Sequence, residues 1–538
     1  MIVQLILLMG LIEVIKAGML DHNINMNFFG VNLSFVPSER GKELILSPIL
    51  AGASAWIMCF CQNQSNVLQA EQSKWNKYGT MVLSVGLSLY LGWLVPVGVA
   101  VYWIASNLMA VVQLYILNAF INPKDYVDYE ELEKSKKELE SISKVGNKRK
   151  LFGDPEAKRE KEDYKRFNNV LNKHLVFYSE SNGFYKYYKG IIEYLLENTN
   201  LTIHYITSDS EDKIFEKAKT QPKIRAYYIG ENKLITLMMK MEADVVVMTM
   251  PDLNKYHIKR SYIRDDIEYI FVNHGVGSTD LTLRKEATRF FDTIFCVGKH
   301  QRVEEEQFEA LYGWRKRKLV EFGYPLIDGM RAEYKKTPVS VKNKLKVLIA
   351  PSWQKDNIVD TCLDEMLDIL KNTDFDIIVR PHPQEVRAKK AYMETLKQKY
   401  EPMGIEVRTD SSSNNPVMEA DILITDWSDI SWEYAFTTLK PVLFINTPMK
   451  VMNPDYKDIE ETPINIALRE KVGRTLDTSE LDKLVDTIYS LYNHAEDYKV
   501  NNEKLANEYI YNLDNSARIG AEYIANSIQK KLFLVSNI

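Results

Sequence analysis

Four apolar stretches crowd into the first 120 residues of this 538-residue chain, and nothing after them has their character. They run Ile2–Leu20, Leu44–Cys61, Gly79–Val95 and Val97–Phe120. Each approaches the roughly 20 residues that a helix needs to cross about 30 Å of hydrocarbon. One alone reads equally as a buried core helix. Four in succession, almost without charge between their ends, predict an all-α transmembrane region. Glu13, Lys16, Ser54, Ser84, Ser88, Ser106, Asn107 and Gln113 would then sit at or near membrane depth, where polar groups must face protein or water. A signal peptide fits poorly, because no basic segment precedes the first stretch and no small-residue cleavage site follows it.

Residues 123–166 are charged and helix-prone, with many Lys and Arg just after the last span. The positive-inside rule puts that side in the cytoplasm. The loop Asp21–Glu43 then lies outside and Gln62–Tyr78 inside. The remainder of the chain is long enough for more than one domain at about 150 residues each. Its 46% hydrophobic and 26% charged content excludes disordered, collagen-like and disulfide-rich classes. A net charge of −5 argues against nonspecific nucleic-acid binding. Cys59, Cys61, Cys296 and Cys362 form neither a disulfide framework nor a four-ligand zinc pattern.

From Lys173 onward, short β-branched runs alternate with helical patterns. One series is 174–178, 201–206, 225–229, 244–248, 268–272 and 293–297; a second is 346–350, 376–380, 405–408, 421–425 and 441–445. Buried strands separated by helices predict two doubly wound parallel sheets, divided by the polar stretch 331–344. In such sheets ligands bind at the carboxyl ends of the strands, and the unusual residues fall there. His274 follows the strand 268–272 and precedes Gly275 and Gly277; a neutral imidazole can act as a general base. It reads equally as a loop residue capping the strand. Arg380 and His382 stand in a Pro-flanked turn after 376–380, and an arginine there suits phosphate oxygens or a nearby carboxylate. After 421–425 come Asp426, Ser428, Ser431 and Glu433, where hydroxyls and helix N-terminal amides suit a pyrophosphate. Glu433 suits ribose hydroxyls or the helix dipole, and Asp426 an N-cap.

Two resemblances rest on these residues. The runs GVNLSFVPS, ILSPILAGASAW and LVPVGVAVYWIASNLMAVVQLYILN resemble the C-terminal transmembrane part of YidC-type membrane-protein insertases. The marks are Pro96, Gly98, Tyr102, Trp103, Asn107 and Gln113. No residue here takes the place of the groove arginine of that family, which leaves a truncated module or an anchor as the readings. Residues 174–525 are similar to the CDP-glycerol glycerophosphotransferases of teichoic-acid synthesis. Here the marks are His274-Gly275, the GYPLID run (Gly323, Tyr324, Pro325, Asp328), Pro351-Ser352-Trp353, Arg380 with His382, and residues 422–448. Trp427 and Asp429 depart from the usual Tyr and Ser of that last motif, and Val276-Gly277-Ser278-Thr279 departs from the usual segment after His-Gly.

The second resemblance implies a membrane-associated GT-B fold that moves a polyol phosphate, glycerol phosphate favoured, from a CDP-activated donor to an acceptor hydroxyl, releasing CMP. The acceptor would be a lipid-linked or cell-wall glycopolymer. His274 and His382 would be catalytic; Arg380, Asp426, Ser428, Ser431, Glu433 and Gly275 would hold the donor; no metal or other cofactor is expected. The organisation expected is 1–122 transmembrane, 123–172 charged linker, 173–335 an acceptor-side α/β domain and 336–538 a donor-side α/β domain, with the catalytic part cytoplasmic on a multi-pass cell-membrane anchor. Two alternatives stay open at this point: a nucleotide-sugar glycosyltransferase on the same scaffold, and a membrane-insertion factor with a non-catalytic soluble domain.

Overall fold

Two units divide the chain, Met1–Arg149 and Lys150–Ile538. The structure, a computed structural model, describes residues 26–65, 74–121, 154–171, 173–256, 258–336, 344–410 and 414–536, with isolated positions at Gly10, Glu13, Ala17 and Tyr129.

In the first unit the apolar runs form α1 (Leu46–Ser65), α2 (Lys74–Leu94) and α3 (Val97–Phe120). Pro96 separates the last two: with no N–H to give and φ fixed near its −55°, it suits the start of a helix and not its interior. Small residues let α1 and α2 close. A Cβ on Gly52 would lie 2.6 Å from Leu89, and one on Gly92 3.0 Å from the Pro48 backbone. Asn107 donates to Ser54 Oγ at 3.0 Å, and Ser54 donates to the Ala51 carbonyl at 2.9 Å. Three of the polar residues expected at membrane depth, Ser54, Ser88 and Asn107, are therefore buried inside the unit, while Ser106 and Gln113 are exposed.

By length and hydropathy α3 alone qualifies as a span among the described residues. A second counts if Pro37–Leu44 and Leu46–Ser65, bent by 89°, are read as one broken span; the apolar part of α2 is shorter, Tyr78–Leu94. The expectation of four spans is thus reduced to one or two there. The stretch Ile2–Leu20 lies almost wholly outside the described residues, as do the joint 130–153 and the middle of the divider at 331–344.

The second unit carries two all-parallel sheets. The first is built from β1 (Lys173–Ser179), β2 (Ile203–Thr207), β3 (Ile224–Tyr228), β4 (Ala243–Met248), β5 (Glu268–Val272), β6 (Thr293–Cys296) and β7 (Lys318–Glu321), in the order β3-β2-β1-β4-β5-β6-β7. The second contains β8 (Lys346–Ile349), β9 (Asp376–Val379), β10 (Ile405–Val407), β11 (Ile422–Thr425), β12 (Val442–Asn446) and β13 (Gly473–Asp477), in the order β10-β9-β8-β11-β12-β13. Both orders reverse beside their first strand, between β1 and β4 and between β8 and β11, which opens a crevice at the carboxyl ends. This pair of sheets is the GT-B-like architecture expected. The sequence reading omitted the edge strands β7 and β13, KLVE and GRTLD, whose partly polar runs lack a buried strand's apolar signature.

Seven helices of this unit matter for the site: α4 (Pro155–Asn168), α5 (Tyr185–Asn198), α6 (Lys299–Tyr312), α7 (Pro325–Tyr334), α8 (Pro383–Ala388), α9 (Ile430–Thr438) and α10 (Ser516–Ser536). Helix α4 shortens the expected linker. Asp154 caps it by accepting from the Glu156 amide at 3.0 Å, and Phe167 is buried in the core of the first sheet. Helix α10 returns to the first sheet, where Ile524 and Ile528 pack with Leu175 and Val245 and the Tyr523 hydroxyl donates to Glu268 at 2.8 Å. The end of the chain therefore completes the first domain and not the second.

The GYPLID run makes that return possible. Gly323 has φ +100°, and a Cβ there would meet the Tyr511 carbonyl oxygen at 2.1 Å. Asp328 on α7 accepts from the amides of Asp514 and Ser516 at 2.8 and 2.7 Å, holding the start of α10. This motif docks a helix.

Candidate active site

The loop after β5, Asn273–Ser278, is clamped from behind by α6. Gln301 Nε2 donates to the carbonyls of Gly275 (3.2 Å) and Gly277 (2.9 Å), and His300 Nε2 lies 2.8 Å from the Val276 carbonyl. From in front it meets the other half of the unit. A Cβ on Gly275 would fall 2.1 Å from Asp429 Oδ2, and one on Gly277 2.6 Å from Asp429 Oδ1, so the missing side chains are what admit that carboxylate. Ser278 N donates to Asn465 Oδ1 at 2.8 Å, and Ile464 N to Ser278 Oγ at 3.0 Å.

His274 projects from this loop between the rings of Phe184 and Tyr187, each 5.9 Å away. Its Nδ1 is buried and has no hydrogen-bond partner. Burial, with Lys450 and Lys186 adding to it, holds the imidazole down to about 4, so it is neutral near pH 7 and able to take a proton. His382 caps α8 from the second sheet: its Nδ1 accepts from the Gln384 amide at 3.2 Å. Its one proton in the neutral form then sits on Nε2, as a donor. Burial first, then Lys450, Lys186, His274 and Arg380, bring it down to about 3. Each histidine feels both lysines, and His382 also feels His274, which places the pair in one cleft. Arg380 ends β9, its amide bonded to the Ile349 carbonyl at 2.8 Å; burial lowers its guanidinium while Glu433 opposes that.

The segment after β11 divides into structural and available groups. Asp426 is buried, and both of its oxygens are engaged, accepting from the amides of Ser352 (2.8 Å) and Ile358 (3.2 Å). It therefore holds the loop after β8, and it does not cap α9, whose N-cap is Asp429. Trp427, the departure from tyrosine, donates to the Thr447 carbonyl at 2.9 Å with Arg469 4.0 Å above its ring. Ser431 donates its hydroxyl to the Ser428 carbonyl at 2.9 Å. Ser428 is half-buried at the entrance to α9. Glu433 accepts from the Tyr324 hydroxyl at 3.3 Å and acts on Arg380. Asp429, the departure from serine, faces the glycine loop, Asn465 Nδ2 (3.5 Å) and Lys450. Burial pushes it up to about 6 against the pull of Lys450.

Three residues were not singled out by sequence. Lys186 and Tyr187 lie at the start of α5, with the ammonium 4.9 Å from the Tyr187 ring. Lys450 follows β12, 4.6 Å from the ring of Trp353, and that ring lies 6.1 Å from His382. A lone lysine in INTPMK reads as surface; its place just past the strand next to β11 was the available signal. Surface depressions of about 490 Å³ (around Trp314 and Arg317) and about 190 Å³ (around Arg474 and His494) lie away from these groups. Among the described residues no cluster of His, Cys, Asp or Glu is arranged to hold a metal ion.

Behind the loop, Asp280 is buried with neither oxygen bonded, and burial together with Glu304 raises it to about 8. A carboxyl whose folded value lies above its unfolded one adds stability at low pH that is lost as pH rises toward that folded value. Asp280→Asn is therefore expected to raise the melting temperature by several degrees at pH 8.5 and by almost nothing at pH 4.5. Thermal melts across that range check it; an equal shift at every pH would contradict the assignment.

A family model described as CDP-glycerol:poly(glycerophosphate) glycerophosphotransferase matches residues 163–517. The teichoic acid glycerol-phosphate primase of Bacillus subtilis (strain 168) is 24% identical over 259 residues, covering 44% of this chain and 65% of that protein. Among solved structures, the wall teichoic acid polymerase TagF aligns with a TM-score of 0.46 and 15% identity over 75% of this chain and 99% of that one. The UDP-GlcNAc 2-epimerase from Neisseria meningitidis aligns with a TM-score of 0.42 and 13% identity, over 67% of this chain and 100% of that one.

Proposed function

Because this chain belongs to the CDP-glycerol:poly(glycerophosphate) glycerophosphotransferase family, we propose that its second unit transfers glycerol phosphate from CDP-glycerol to a hydroxyl of a teichoic-acid-type, lipid-linked glycopolymer. The observation that carries this reading is the pair of neutral histidines, one from each sheet, in a cleft that also contains Arg380 and two lysines. The acceptor oxygen attacks the glycerol-bearing phosphorus, the bond from that phosphorus to the CMP oxygen breaks, and CMP leaves. His274 takes the proton of the attacking hydroxyl. His382 donates from Nε2 to a phosphate oxygen. Arg380 and the Ser428 hydroxyl contact the diphosphate, Gly275 lets backbone approach it, and Glu433 lies toward the ribose. Ser431 contributes by shaping the turn. Such chemistry is mostly positioning and electrostatic stabilisation.

In the same reading the first unit is a membrane anchor that resembles a YidC-type module, with the catalytic unit on the cytoplasmic side. Its exposed apolar surface supports this, Leu83 and Phe120 being 74% and 84% exposed. An anchor raises the effective concentration of a lipid-borne acceptor near the site.

The test is product identity. Full-length protein in membranes, given CDP-glycerol and a membrane acceptor, is expected to produce a phosphodiester signal by ³¹P NMR. A glycoside formed from a nucleotide sugar, with no phosphodiester from CDP-glycerol, would sink the reading.

A further inference from the structure

The cleft repeats one arrangement on its two walls. On the first, His274 sits beside Tyr187, and the Lys186 ammonium lies 4.9 Å from that ring. On the second, His382 sits beside Trp353, and the Lys450 ammonium lies 4.6 Å from that ring. Both lysines are half-buried. Neither forms an ion pair among the described residues: Glu433 draws on Lys186 and Asp429 and Asp426 draw on Lys450, but each of the three carboxylates has other partners, Glu433 accepting from Tyr324. Asp426 accepts two backbone amides, and Asp429 is held by the glycine loop and Asn465. Ammoniums drawn partly out of water, and set off only by carboxylates that are already hydrogen-bonded elsewhere, gain from a ligand that brings further negative charge. Unmet hydrogen-bonding capacity lies in the same region: His274 Nδ1 is buried without a partner, as is the hydroxyl of Ser352, the residue before Trp353. An anion with several oxygens meets these conditions together.

We propose that Lys186 and Lys450 form a diphosphate clamp, one ammonium from each half of the unit, closing on the donor's two phosphates between His274 and His382. The proposal deepens the reading of the site as a phosphoryl-transfer centre and rests on it for the identity of the donor. It assigns the clamp a second consequence. Both ammoniums disfavour protonation of the histidines. A bound diphosphate offsets their charge, so His274 becomes a stronger base once the donor is in place.

Inorganic pyrophosphate is the probe, titrated calorimetrically into the full-length protein in detergent, alongside Lys186→Met, Lys450→Met and the double variant. Wild type is expected to bind it. Each single variant should bind at least tenfold more weakly, the double variant more weakly still, and Lys450→Arg should recover most of the loss. Unliganded melting temperatures should match wild type, which separates loss of a ligand contact from loss of fold; if a Met variant melts early, the comparison of Lys450→Arg with Lys450→Gln decides instead. Equal pyrophosphate binding in wild type and the charge-removing variants would overturn the clamp, as would no binding to wild type. Lysine-dependent pyrophosphate binding with no binding of CDP-glycerol would sink the donor assignment and leave the clamp standing.

Discussion

Replacing His274 with alanine is expected to lower turnover of CDP-glycerol by roughly a thousandfold, the usual scale for loss of a positioned general base, while donor affinity changes only a few-fold. The imidazole is the group that joins strand-end placement to a neutral state near pH 7 and a buried, unpartnered nitrogen. The sign of its pH dependence follows. The active form is unprotonated, so rate is lost as pH falls through the histidine's own value. For the free protein that value is about 4, and the acid limb of kcat/KM reports the free enzyme. The acid limb of kcat reports the donor complex, where the lysine charges are offset, and is expected at higher pH. Initial rates from pH 3 to 8 measure both limbs. A His274→Ala variant retaining a tenth of wild-type turnover would remove the histidine from the chemistry.

A methyl group on Gly275 is expected to cost about a hundredfold in turnover with little loss of stability. The atom it would strike is Asp429 Oδ2, at 2.1 Å, and a side chain can swing aside where backbone cannot. The methyl group either displaces that carboxylate or pushes the loop, and His274 with it, out of place. In the first case Asp429 would leave the glycine loop and Asn465, and its charge would shift relative to Lys450. A misplacement of about 1 Å in a positioned site can cost a hundredfold. Shortening the obstacle should therefore restore part of the loss, so Gly275→Ala with Asp429→Ala is expected to turn over faster than Gly275→Ala alone. Rates and melting temperatures of Gly275→Ala, Asp429→Ala and the double variant check this. Equal rates for the single and double variants would mean that the clash is not the cause.

The parts of this architecture legible in the sequence were those in which chemistry and topology coincide. Eleven strands showed as apolar runs because both faces of a parallel sheet are buried, and His274, Arg380, His382 and Ser428 stood out because they directly follow such strands. Residue type alone did not reveal orientation. Asp426 sits in the same motif as Ser428, yet its oxygens point back to the Ser352 and Ile358 amides, contacts 74 and 68 residues away in the chain. Asp328 stood among the marks of the family resemblance and serves α10. Lys450 was hidden because an isolated lysine carries no pattern, and its partner ring, Trp353, comes from the loop after a different strand. The return of α10 to the first sheet is a long-range packing event with no local signature. In the first unit, hydropathy gave the apolar segments but not the bend of 89° between Pro37–Leu44 and Leu46–Ser65.

The central claim is polyol-phosphate transfer at a cleft shared by the two sheets, and acceptor-dependent CMP release tests it most directly. Full-length protein in membranes would be offered CDP-glycerol, CDP-ribitol and UDP-sugars side by side, with His274→Ala and Arg380→Ala as controls. CMP released from CDP-glycerol only when acceptor is present, and lost in both variants, is the predicted result. Nucleotide release from UDP-sugars instead, or CMP release that survives both substitutions, would contradict it.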